Sequence, residues 1–154
     1  MILPIVAYGT PVLREETSEI EKDYPDLDIL LEDMFETMYA SKGVGLAAPQ
    51  IGRAIRLFIV DASGFNEDGD HPELADFKRI YINPIIVEES GKEWKFEEGC
   101  LSIPGIREDV SRQPNVTIEY YNEKFELIEE TISGIAARVV QHEYDHIEAT
   151  LFTD

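Results

Sequence analysis

Two histidines, His142 and His146, stand one helical turn apart in Gln141-His142-Glu143-Tyr144-Asp145-His146, and this spacing constrains the C-terminal part of the chain more than any other feature. Each residue of an α-helix advances about 100°, so Ile135, Val139, His142 and His146 project within roughly 60° of one another. Both imidazoles therefore lie on an apolar face. Arg138, Gln141, Asp145 and Glu148 form a narrow polar stripe on another side, and Val140, Tyr144 and Leu151 cover much of the remainder. The pattern predicts a mostly buried helix from Gly134 to about Ala149, with Ser133 as its N-cap.

Two inward histidines at this spacing can bind one metal ion, and Glu143 projects beside them, where it can handle a proton of water. Core histidines satisfied by hydrogen bonds are the ordinary alternative for a single imidazole. Here two of the three histidines in the chain fall at the metal-binding spacing with the acid in place. A catalytic site of this kind has three protein ligands and an open position. Glu148 faces roughly the opposite side of the helix, and His71 lies in an acidic stretch between Asp70 and Pro72. Cys100 is the better third ligand. It sits in Glu98-Gly99-Cys100-Leu101-Ser102, where Gly99 permits a close backbone approach and the thiol can bind metal as thiolate. Two histidines and one cysteine suit Zn(II) or Fe(II), and ligand type alone does not choose. This chemistry predicts a hydrolase without naming the bond it cleaves.

The 154 residues, 44% of them apolar, are enough for a single domain spanning 1–154 with an ordinary core. The single cysteine excludes an internal disulfide and fits a reducing compartment. No stretch approaches the roughly 20 apolar residues that cross a bilayer, and Met1-Ile2-Leu3-Pro4-Ile5 lacks a secretory signal pattern, so a soluble cytoplasmic protein is expected. A net charge of −19 argues against nucleic-acid phosphates or anionic lipid as partners.

A short helix is expected to start at Thr10-Pro11. Leu27, Leu30, Leu31, Met34 and Met38 predict a second helix over about 26–41, with Gly43 as its stop. The segment 43–52, rich in glycine and containing Pro49, reads as a loop, and 55–61 as a buried strand. Residues 62–77 read as an exposed, mobile excursion. Further strands are expected over 79–88, 93–96, 115–121 and 126–130, with turns at Ser90-Gly91 and 121–123. The fold class is α+β, with antiparallel strands packed around a C-terminal metal-binding helix and further helices in the N-terminal third.

Three segments, Gly43-Val44-Gly45-Leu46-Ala47-Ala48-Pro49-Gln50, Glu98-Gly99-Cys100-Leu101-Ser102 and Gln141-His142-Glu143-Tyr144-Asp145-His146, together resemble the peptide deformylase family. The likeness runs from Ile2-Leu3-Pro4 to Leu151-Phe152. It implies removal of the N-formyl group from the initiator methionine of nascent bacterial polypeptides, with release of formate. It also implies that Cys100, His142 and His146 hold the metal, Fe(II) in the cell, with Zn(II), Ni(II) or Co(II) as substitutes in purified protein. Glu143 would carry the proton, and Gln50 and the backbone N–H of Leu101 would stabilise the oxyanion. Gly45 would belong to the peptide-binding edge, Val44, Ile135 and Val139 to the methionine pocket, and Arg107 would meet the substrate backbone. The resemblance implies nascent formyl-methionyl peptides as partners, and the net charge of −19 predicts that any ribosome contact is weak. One departure is Ala149, which stands where relatives carry glycine after the second histidine; another is the stop at Asp154, where relatives continue. A metallopeptidase, or a metal-binding relative without activity, is the competing reading.

Overall fold

The computed structural model describes residues 1–7, 9–67, 69–100 and 102–149; the side chains at 96, 97, 99, 100 and 103–108 lie outside that description. A 3-10 turn at Pro11–Arg14 follows Thr10, and helix α1 spans Leu27–Ala40. Strands β1 (Gly45–Ala47), β2 (Leu57–Asp61), β3 (Lys78–Ser90), β6 (Asn115–Tyr121) and β7 (Leu127–Ser133) form one antiparallel sheet in the order β1-β2-β3-β6-β7. Strands β4 (Trp94–Cys100) and β5 (Ile103–Arg112) make a separate antiparallel hairpin, and helix α2 (Gly134–Ile147) follows β7. The α+β class read from the sequence is the observed one.

The large sheet is covered on both faces. Leu57 and Ile59 of β2 pack with Leu30, Leu31, Met34 and Met38 of α1. Phe58 and Val60 point the other way and pack with Ala136, Ala137, Val139 and Val140 of α2. A strand with helices on both sides must be apolar at every position rather than at alternate ones, which explains the unbroken Leu57-Phe58-Ile59-Val60 run.

Four expectations are corrected. The segment 43–52 is not all loop: Gly45–Ala47 pairs with Phe58–Val60 as β1, and Ala48–Ile51 forms a 3-10 turn. Three residues are too few to show a strand period. The second is β5, which carries Pro104, Gly105 and several charges and so lacks any apolar alternation; the hairpin partner β4 supplies its structure. Third, helix α1 ends at Ala40 with Ser41 as its cap, and Lys42, not Gly43, takes the left-handed conformation with φ of 58°. Last, the 62–77 excursion is anchored. Ala62, Leu74 and Phe77 enter the α2-side core, and the Ala62 N–H donates to the Phe77 carbonyl at 2.9 Å, closing the segment at its base. The expected turn at Ser90-Gly91 is present: Gly91 has φ of 96°, and a Cβ there would stand 2.5 Å from Pro114.

Candidate metal centre

Helix α2 places His142, Glu143 and His146 inward, as the spacing requires, each less than a tenth exposed. The two imidazole centroids are 5.4 Å apart. One nitrogen from each histidine and one oxygen of Glu143 lie within 4.8 Å of one another, close enough to surround a single ion. Glu143 Oε1 is buried and meets no hydrogen-bond partner among the described residues. A buried carboxylate oxygen without a donor is costly unless a ligand completes it, so the residues present fit a metal and its water. Burial raises the Glu143 carboxyl to about 7, which suits an acid that must both accept and return a proton near neutrality. Burial also pushes His146 down to about 3, so it is a neutral imidazole with lone-pair density to offer.

Strand β1 brings the glycine-rich segment against this cluster. A Cβ on Gly45 would stand 2.6 Å from Glu143 Oε2 and 2.8 Å from its Cγ, so only glycine lets the carboxylate lie against the β1 backbone. Just beyond, the 3-10 turn holds Gln50, 2% exposed. Its Oε1 accepts from the Ala47 N–H at 2.9 Å, and its Nε2 donates to Ser102 Oγ at 3.2 Å, which fixes the orientation of the amide. The Val6 N–H donates to the Gln50 carbonyl at 2.7 Å and pins the turn from the N-terminal side.

Cys100 ends β4 and pairs in register with Ile103 at the tip of the hairpin, where Ser102 is buried. Arg107 lies in β5 opposite Gly99. The side chains of Cys100 and Arg107, and Leu101 as a whole, fall outside the described residues. Val139 belongs to the α2-side core, and Val44 and Ile135 are half-buried against that same core.

Sequence reasoning missed the groups that orient His142. Its Nδ1 lies 2.8 Å from Glu98 Oε1. Glu98 also receives Arg112 Nε at 2.7 Å and Nη2 at 3.0 Å, and Arg138 Nη1 at 2.5 Å. Burial by itself would raise the Glu98 acid, but the hydrogen bonds from His142 and Arg112 outweigh it and hold the carboxyl at about 2. An ionised carboxylate only accepts, so the proton of the His142 imidazole sits on Nδ1. The signal lay in the polar stripe of α2: Arg138 and Gln141 are buried and face the hairpin rather than solvent. Ser102, which orients Gln50, stood within a quoted motif without a role.

Residues 2–154 match the family model described as polypeptide deformylase. The peptide deformylase of Flavobacterium psychrophilum is 57% identical over all of this chain and 82% of its own length. That of Christiangramia forsetii is 56% identical over all of this chain and 81% of its own length. The crystal structure of peptide deformylase from Thermotoga maritima superposes with a TM-score of 0.89 at 37% identity, covering 100% of this chain and 97% of that one. With the helix-borne His-Glu-His cluster, the glycine-gated strand beside it and a whole-length match, the chain belongs to the polypeptide deformylase family, metal-dependent hydrolases that remove the N-formyl group from nascent polypeptides.

Proposed function

We propose that this chain deformylates the initiator methionine of nascent polypeptides with Cys100, His142 and His146 as ligands of one divalent metal and Glu143 as the proton carrier. The observation that carries the reading is the His142-Glu143-His146 cluster, whose donor atoms lie within 4.8 Å of one another, with Glu143 Oε1 buried and without a hydrogen-bond partner among the described residues. With the proton of His142 on Nδ1, held there by Glu98, Nε2 is the nitrogen that would be left to hold a metal. A bound divalent ion acidifies water and polarises the formyl oxygen. Fe(II) is the proposed metal in the cell, with Zn(II), Ni(II) or Co(II) able to replace it in purified protein.

The chain's own groups divide the remaining work. Glu143 accepts a proton from the attacking water as the new C–O bond forms at the formyl carbon, and delivers it to the amine nitrogen as the C–N bond breaks. The products are formate and a free α-amine. Gln50 Nε2 and the Leu101 N–H donate to the developing oxyanion, the former held in place by Ala47 and Ser102. Gly45 belongs to the peptide-binding edge, Arg107 meets the substrate backbone, and Val44, Ile135 and Val139 receive the methionine side chain. The whole of 1–154 acts as one catalytic domain, supported by the match over residues 2–154 and by a single sheet shared between both apolar clusters. The cytoplasm is the proposed compartment, consistent with one unpaired cysteine.

The test is formate release from a formyl-Met-Ala-Ser peptide by anaerobically prepared, Fe(II)-loaded protein, beside Glu143→Ala. The parent is expected to release formate, and Glu143→Ala to lose about 10²–10⁴-fold in kcat while still binding one equivalent of metal. A parent that releases none, or that instead cuts internal peptide bonds, rejects the reading.

A further inference from the structure

Among the described residues the β4–β5 hairpin shares no strand pairing with the five-stranded sheet and is tied to it through the short connections 91–93 and 113–114, so side chains contribute to its position on α2. Two arginines do so from opposite directions. Arg112 leaves β5, grips Glu98 with two hydrogen bonds and reaches Asp145 of α2 through Nη1 at 2.8 Å. Arg138 leaves α2 and touches both strands of the hairpin. Its Nη1 donates to Glu98 Oε2 at 2.5 Å and to the Val110 carbonyl at 2.8 Å, and its Nη2 donates to the Trp94 carbonyl at 2.5 Å. Its guanidinium also lies over the Trp94 ring, 4.6 Å from the centroid. Arg138 is 3% exposed and Arg112 9%.

A buried ion network is a poor way to stabilise a fold, because desolvating the charges cancels much of their attraction, whereas apolar packing would join the helix to the hairpin at no such cost. What the arginines add is direction. A planar guanidinium with donors at fixed angles defines where Trp94, Glu98 and Val110 sit relative to α2. The same Glu98 carboxylate holds His142 Nδ1, and Cys100 lies two residues further along β4.

We propose that Arg138 is a positioning residue for the metal site: it registers the Cys100-bearing hairpin on α2 and holds Glu98 against His142. The inference rests on the ligand set proposed above. Arg112 still neutralises Glu98 when Arg138 is removed, so the expected loss is one of registration rather than of folding. A lysine retains the charge but lacks the fork that reaches Trp94, Glu98 and Val110 together.

The experiment measures Ni(II) affinity by chelator competition for the parent, Arg138→Met, Arg138→Lys, His142→Ala and Cys100→Ala, with thermal melts of the metal-free proteins reporting folding separately. Arg138→Met is expected to fold and to bind Ni(II) about 10–100-fold more weakly, with Arg138→Lys recovering part of the loss. Parent-like affinity in Arg138→Met, with His142→Ala and Cys100→Ala impaired, overturns the proposal. Should Arg138→Met not fold, Arg138→Lys decides: weakened binding in a folded protein supports registration, and parent-like binding overturns it. Parent-like affinity in His142→Ala and Cys100→Ala would remove the ligand set itself, and this inference with it.

Discussion

Ala149 shows what a single residue can do at a helix end. It takes φ of 58°, the left-handed conformation that glycine adopts without a Cβ penalty. The helix still closes as it would with glycine, since the Glu148 N–H donates to the Tyr144 carbonyl at 3.1 Å and the Ala149 N–H to His146 at 3.2 Å. The departure from the family pattern is therefore absorbed as strain and leaves the histidines in place. Ala149→Gly is expected to stabilise the protein by about 1 kcal/mol; an unchanged or lower urea midpoint would contradict this. Gly45 is the opposite case, a glycine whose replacement must displace the Glu143 side chain. The Cβ of Gly45→Ala would stand 2.6 Å from Glu143 Oε2 and 2.9 Å from its Cδ, so the carboxylate must move. A displacement of that size is expected to lower kcat/KM by about 10²-fold with the fold intact; a parent-like rate would show that Glu143 does not need its observed position.

At the scale of elements, α1 and α2 were legible because each carries an apolar period long enough to read. Helix α1 buries Leu30, Leu31, Met34 and Met38, and Met34 and Met38 are fully inaccessible. Met34→Ala leaves a cavity against β2 and is expected to cost about 2–5 kcal/mol in urea unfolding; a loss below 1 kcal/mol would mean the core collapses to fill it. Strand β5 was illegible for the converse reason. Its charged, proline-containing sequence has no period of its own, and its extended form comes from pairing with β4 and from Arg112 reaching back to Glu98 and Asp145. The polar stripe of α2 was visible in sequence, but its purpose was not. Stripes of that kind usually meet water, and here Arg138 and Gln141 meet the hairpin instead.

The molecule as a whole carries a net charge of −19, which disfavours approach to polyanionic phosphate backbones. Weak affinity for bare ribosomal RNA follows, and tight, salt-sensitive cosedimentation with ribosomes would refute it. The sequence by itself determined the two helices, the doubly buried strand, and the inward clustering of His142, Glu143 and His146, because those signals are periodic and lie within a few residues of one another. Only the tertiary structure decided how His142 is oriented, what a side chain at position 45 would displace, and what holds Gln50. Those answers come from Glu98, Arg112 and Arg138 for His142, from Glu143 for position 45 and from Ser102 for Gln50, each distant along the chain from the group it serves. Hydrogen bonds between remote segments leave no periodic trace in a sequence, so they become visible only when the sheet and the hairpin bring their ends together.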